Sequence, residues 1–220
     1  MSDILLVIGN KNYSSWSLRA WLALAATGAG FDEELILLDK PDTKEKILRH
    51  SGAGKVPVLK VGALTVYDTL SICEYLAERF PAAQLWPEDA EARATARSVS
   101  AEMHAGFFAL RENMPMNCRA SRPGVGMSAE VAADIARITE IWRDCRARFG
   151  EGQGGPFLFG AFTVADAMYA PVASRFATYA VDLDPVSAAY RDAVLGWPAM
   201  VAWLDAARSE DDVLDGEERR

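Results

Sequence analysis

The 220-residue sequence predicts an α/β domain of the order β-α-β-α-β-β-α followed by an all-helical C-terminal domain. Three observations predict it. Ile4 to Ile8, ILLVI, is a continuous apolar run, the mark of a strand buried on both faces. Val58 to Val61 and Leu64 to Tyr67 flank the short turn Gly62-Ala63, which predicts a hairpin. Beyond the segment Pro81 to Pro87, PAAQLWP, every apolar pattern has helical spacing.

Each element has its own local reason. After the first strand comes a polar loop, Gly9 to Ser15, and then a helix with Leu18, Trp21, Leu22 and Ala25 on one stripe, ended by Gly28. Glu34 to Asp39 alternates enough for a second strand, and Thr43 to His50 is a short helix after Pro41. The hairpin leads into a third helix with Leu70, Cys73, Leu76, Ala77 and Phe80 inward; Thr69 stands where its hydroxyl can accept a backbone N–H. A βαβ unit with an appended hairpin and helix is the thioredoxin-like arrangement. Further on, Asp89 to Asn113 carries Val99, Met103, Phe107 and Leu110 on one stripe, and Met114 to Met127 is a long loop. Ser128 can cap a second long helix with Val131, Ile135, Ile138, Trp142 and Cys145 inward, and Gly150 to Pro156 is a glycine-rich connection. Thr163-Val164-Ala165-Asp166 fits a capping box ahead of a helix containing Pro171, and Pro185 and Pro198 open the last two helices. The expected boundaries are 1–80 for the first domain, 81–88 for a linker, 89–208 for the helical domain, and 209–220 for a charged tail that frays.

Composition narrows the function. Half the residues are hydrophobic, enough for a sizeable core, and the net charge of −8 argues against a nucleic-acid partner. No apolar run approaches the roughly 18 residues of a membrane span, and Met1-Ser2-Asp3 lacks the basic start of a signal peptide. Cys73, Cys118 and Cys145 are odd in number and far apart, which supports neither a disulfide framework nor a metal site. The expectation is a soluble cytoplasmic protein with no membrane partner.

Two features of the hairpin and its helix go beyond packing. Pro57 lacks an N–H and forces Val56 into an extended conformation, so Val56 is free to pair with a peptide-like ligand, the more so if the bond between them is cis. Asp68-Thr69, at a helix N-terminus, offers unpaired N–H groups suited to a carboxylate. An ordinary hairpin whose proline only ends a loop explains the same residues about equally well.

VPVL, then an acidic-hydroxyl pair, then SICEYLAERFP resembles the glutathione-binding half of the glutathione S-transferase N-terminal domain, and the similarity runs through nearly the whole chain. The resemblance implies glutathione as co-substrate and a homodimer. Val56 would pair with the cysteinyl backbone of glutathione, and Asp68 and Thr69 would hold its γ-glutamyl end. The family's more usual pair is Glu or Gln followed by Ser, so Asp68 is one methylene short. Lys55, beside Val56, can meet a ligand carboxylate or simply be solvated, and Ser51-Gly52 replaces the family's usual Asn-Pro.

The working group belongs in the first strand-to-helix loop, Asn10 to Ser17. Thioredoxin-like redox proteins carry cysteine there; this chain has Ser14, Ser15 and Ser17, which argues against disulfide exchange and leaves open activation of a thiol brought by the ligand. On the residues alone, the serines are most simply helix caps. The run Ser-Ser-x-Ser followed by Arg19 resembles the zeta-class signature, whose first serine activates glutathione; here that is Ser14. Ser15, Ser17 and Tyr13 are its rivals, and Arg19 either pairs across the domain interface or lies on the helix surface. His104, Phe108 and Arg111 share a helix face that, with Tyr13 and Trp16, would line a pocket for an electrophilic second substrate; aromatic residues at such spacing are more often core. The implied activity is transfer of glutathione to an electrophilic carbon. A glutathione-dependent cis–trans isomerase is the second reading, although zeta-class isomerases carry an arginine where Thr178 stands, with Arg175 nearly a turn earlier. A transferase-like binding module without turnover is the third.

Overall fold

The structure, a computed structural model, describes residues 3–152 and 154–218. Its first part holds β1 (Ile4–Ile8), α1 (Ser15–Ala26), β2 (Asp32–Leu35), α2 (Thr43–Leu48), β3 (Val58–Val61), β4 (Leu64–Tyr67) and α3 (Thr69–Arg79). The sheet order is β2-β1-β3-β4, with β1 parallel to β2 and antiparallel to β3. Leu6 faces Leu59 across β1 and β3, and Leu59 faces Val66 across β3 and β4, which closes the predicted hairpin. The sheet is covered on both faces. Leu6, Ile8 and Leu59 pack under α1 and α3, whereas Val7, Val58, Ile36 and Ile47 form a smaller cluster on the other side.

The second strand lies earlier than the expected Glu34 to Asp39. β2 is the exposed edge sequence DEEL, fixed by its pairing from Leu5↔Asp32 to Ile8↔Leu35. An edge strand pairs on one side only and needs no alternation. The alternating stretch is the departing chain, where the Leu38 amide donates to Asn10 Oδ1 at 2.8 Å.

The remaining helices are α4 (Ala90–Ala105), α5 (Phe108–Asn113), α6 (Ala129–Cys145), α7 (Val164–Thr178), α8 (Pro185–Gly196), α9 (Pro198–Arg208) and the short α10 (Asp215–Glu218). The single helix expected over Asp89 to Asn113 is broken. Gly106 is extended and Phe107 left-handed at φ 58°. The Arg111 guanidinium donates to the His104 and Gly106 carbonyls at 3.2 Å each, and Asp134 accepts from the Leu110 amide at 2.9 Å. Side chains therefore satisfy backbone groups that a continuous helix would have paired internally. α7 is the central helix, buried from Val164 to Phe176. The Thr163 amide and hydroxyl both donate to Asp166 Oδ2, at 2.8 and 3.0 Å, in the predicted capping box.

The two parts share one core, with α1 packed between α3 and α7. Residues 209–218 of the tail that was expected to fray make defined contacts. Leu214 is buried, and Glu210, Asp212 and Glu218 all bond to the loop between β1 and α1. The tail's last residues, 219 and 220, lie outside the described residues, as do residues 1, 2 and 153 of the predicted N-terminal start and glycine-rich connection. Among the described residues no helix is long and apolar enough to cross a membrane.

Candidate functional site

The first strand ends against a helix start, and three serine hydroxyls gather there. Ser14 is the N-cap of α1; its Oγ receives the Ser17 amide at a long 3.4 Å and donates to Ser17 Oγ at 2.7 Å. Ser17, fully buried, accepts from the Gly9 amide at 3.0 Å, which ties the helix to the end of β1. An O–O separation of 2.7 Å suits donation in either direction, so Ser17 can supply the proton to Ser14 and free the Ser14 hydrogen to point elsewhere. Ser15 Oγ instead receives Arg19 Nη1 at 3.4 Å. Tyr13 is committed in another direction. Its hydroxyl donates to Glu218 Oε1 at 2.6 Å and accepts from Arg119 Nη2 at 2.8 Å. Burial, and the bond to Glu218, hold its pKa above the ordinary tyrosine value.

Next to this helix start a cavity of about 360 Å³ is lined by Lys55, Val56, Asp68 and Thr69, with Trp16 and His104 on its wall. The structure thus brings together all four residues expected to hold a peptide-like ligand. The Val56–Pro57 bond is cis. The serines are not on the wall: Ser14 and Ser15 are 8% and 9% exposed, and Ser17 is wholly covered.

The start of α3 differs from expectation. Asp68, not Thr69, is the N-cap, with φ 72°. Its Oδ1 accepts from the Leu70 and Ser71 amides at 2.9 and 3.4 Å, and its Oδ2 lies 3.5 Å from His104 Nε2. Thr69, the first helical residue, donates its hydroxyl to the Trp16 carbonyl at 3.2 Å, which joins α3 to α1 across the cavity. The carboxylate wins the cap because an ionised acceptor makes the stronger bond to helix N–H groups.

Four of the five residues expected around the second substrate also converge, and Tyr13 is the exception. The Trp16 indole lies between two guanidiniums, Arg19 at 4.6 Å and Arg111 at 4.4 Å, with the His104 ring edge-on at 5.1 Å. Phe108, 70% exposed, has Arg111 at 5.9 Å. Arg19 belongs to the interface: it is buried, and its Nε donates to the Met168 carbonyl of α7 at 2.9 Å. Arg175 is buried too, with Nε on the Met114 carbonyl at 2.7 Å. Burial, and then the neighbouring positive charges (Arg175 and Arg111 on Arg19, Arg111 on Arg175), lower the pKa of both; Arg175 falls to about 10. Among the described residues no carboxylate forms an ion pair with Arg19, Arg111 or Arg175.

Sequence reasoning missed the acidic tail and its partners Asn117, Arg119 and Arg122 in the loop before α6. The available signal was charge: acids in 209–218 and arginines in that loop are complementary.

Residues 13–79 match the family description "Glutathione S-transferase, N-terminal domain", and residues 128–206 match "Glutathione S-transferase, C-terminal domain". The chain belongs to the glutathione S-transferase family. The first match runs from just before α1 to the end of α3 and takes in Trp16, Lys55, Val56, Asp68 and Thr69; the second covers α6 to α9, and His104 of the cavity wall lies between the two. A protein described as a probable maleylacetoacetate isomerase of Caenorhabditis elegans is 25% identical over 191 residues, covering 86% of this chain and 88% of the relative. A glutathione transferase homologue from Burkholderia gl BGR1, solved with bound glutathione, superposes with a TM-score of 0.70 at 20% identity over 96% of this chain and 100% of that one. A maleyl pyruvate isomerase, a bacterial zeta-class transferase, gives 0.71 at 21% identity over 95% and 100%. At those identities the two superpositions establish the shared fold.

Proposed function

We propose that this protein is a glutathione transferase in which Ser14 stabilises the thiolate of glutathione for attack on an electrophilic carbon. The observation that carries the reading is the cavity: a Val56 backbone edge, the α3 N-terminus with Asp68 and Thr69, and Lys55 surround one volume next to the start of α1. Its volume falls within the roughly 300–1,000 Å³ of small-molecule sites. In this reading the Val56 main chain pairs with the cysteinyl unit, and the Thr69 end of α3 receives the γ-glutamyl carboxylate. Lys55 meets the other carboxylate. In this reading the thiol reaches beyond the cavity wall to the start of α1, where the 8%-exposed Ser14, its hydroxyl supported by Ser17, donates to sulfur. The proton leaves to solvent, a carbon–sulfur bond forms, and the electrophile's leaving group departs with the bonding pair.

The magnitudes suffice. A free thiol titrates near ~8.5. Lowering it by about two units needs ~2.7 kcal/mol of preference for the thiolate. A hydrogen bond to a charged group supplies about 1.5–3 kcal/mol, and a helix N-terminus adds ~0.3–1 kcal/mol. We place the enzyme in the cytoplasm as a homodimer.

A glutathione-dependent cis–trans isomerase is a second reading, favoured by one observation. Among the described residues Arg111 and the two buried arginines beside it have no carboxylate partner, so a substrate bearing carboxylates would complete their charge balance. In that chemistry glutathione adds to the double bond, the carbon skeleton rotates, and glutathione leaves unchanged.

The test is an ultraviolet titration of the bound thiol across pH in wild type, Ser14→Ala and Ser15→Ala. The reading requires depression below free glutathione in wild type and loss of it in Ser14→Ala alone. Loss only in Ser15→Ala would move the role to that hydroxyl, and binding with an unshifted thiol would make the protein a binding module.

A further inference from the structure

The four residues before Ser14 are held, one after another, by acids of the C-terminal tail. Asn10 Nδ2 donates to Asp212 at 3.1 Å, the Lys11 and Asn12 amides donate to the two oxygens of Glu210 at 2.6 and 2.9 Å, and the Tyr13 hydroxyl donates to Glu218 at 2.6 Å. Glu210 has the most direct hold on the backbone. Successive amides that converge on one anion form a nest, a rigid local geometry. The other main-chain bonds within this turn, from Tyr13 and Ser14 to the Asn10 carbonyl, leave those two amides to Glu210. The tail is fixed in turn by Arg119, which donates to the Glu210 carbonyl, to the Asp212 carbonyl at 3.1 Å and to the Tyr13 hydroxyl at 2.8 Å.

We propose that Glu210 is a positioning residue for this site: by gathering the Lys11 and Asn12 amides into one carboxylate, it fixes the loop that presents Ser14 to the thiol. The assignment rests on the transferase reading above. It differs in sign from a charge effect. A carboxylate acting through its charge opposes a nearby thiolate, so its removal lowers the thiol pKa. A carboxylate that aims Ser14 raises the thiol pKa when removed, because the hydroxyl loses its alignment.

The experiment compares full-length wild type, Glu210→Gln and Glu210→Ala, with circular dichroism to verify folding. Amide exchange at Lys11 and Asn12 is read without glutathione, and the bound thiol is titrated with it. Exchange at both amides rises roughly tenfold to hundredfold in Glu210→Ala and less in Glu210→Gln, which keeps one acceptor oxygen. The bound thiol moves up by about one unit, a tenfold change in its thiol–thiolate ratio. kcat falls while KM for glutathione stays within about threefold, since the cavity wall is untouched. Unchanged exchange overturns the proposal, and so does faster exchange with a thiol that is unmoved or lowered. A wild-type thiol that is not depressed would instead fail the transferase reading, and the positioning role would fall with it.

Discussion

Replacing Asp68 with glutamate separates two roles that this carboxylate now combines. In the structure Oδ1 is used by the Leu70 and Ser71 amides and Oδ2 faces His104 at 3.5 Å, so neither oxygen is directed solely at the cavity. Glutamate is a poor N-cap, and its extra methylene carries the carboxylate past the helix end. Loss of the cap costs about 1 kcal/mol. A carboxylate reaching the α-ammonium of glutathione gains ~1.5–3 kcal/mol in a dry site. The Asp68 side chain is 45% exposed, so solvent screening reduces this to roughly 1 kcal/mol. Asp68→Glu is therefore expected to lower the urea midpoint while tightening glutathione about fivefold. Asp68→Asn, whose amide oxygen still caps, should leave stability within ~0.5 kcal/mol and weaken glutathione. Calorimetric titration with urea unfolding of the three proteins decides the matter. Weaker glutathione binding by a folded Asp68→Glu protein would refute the reasoning, because it would mean the shorter side chain already reaches the ligand.

Three further expectations concern stability and reactivity. Asp166→Ala leaves the buried Leu158 and Thr163 amides without acceptors and should cost about 2–5 kcal/mol in urea unfolding. Burial raises the Asp166 carboxyl to about 6 despite its four donors. The folded form thus holds a proton between roughly pH 4, the unfolded value, and pH 6. This group's contribution is therefore greatest at the acid end and is lost as pH rises through 6, and Asp166→Asn should flatten that slope. Gly126 has φ 77°, and a Cβ there would lie 2.0 Å from the Asn113 carbonyl, so Gly126→Ala should lower thermal stability by more than ~1 kcal/mol. Burial pushes the Cys118 thiol up to about 11, so at pH 8 it should react with a disulfide reagent roughly a hundredfold more slowly than free cysteine until the protein is denatured.

What could be seen in the sequence was what short-range chemistry determines. β1, β3 and β4 have the expected bounds because an apolar run and a two-residue turn leave little choice of register. The Thr163–Asp166 box is equally local. Lys55, Val56, Asp68 and Thr69 could be assigned to one cavity because the loop before β3 and the start of α3 are joined by a single hairpin.

What was hidden depended on partners distant in sequence. The α4–α5 break is stabilised by Arg111 and Asp134, so a continuous helical stripe gave no warning of it. Tyr13 looked like a pocket residue by position, but its hydroxyl is held by a glutamate near the other end of the chain. The tail looked disordered because charged, non-amphipathic segments cannot bury enough apolar surface to order themselves. Here its acids meet the Lys11 and Asn12 amides of the β1–α1 loop and the Arg119 and Arg122 guanidiniums of the loop before α6, and these bonds offset the cost of ordering the tail. Such a contact gives no periodicity, only opposite charges at the right places. The segment that the sequence made least of is consequently the one that holds the loop on which the proposed chemistry depends.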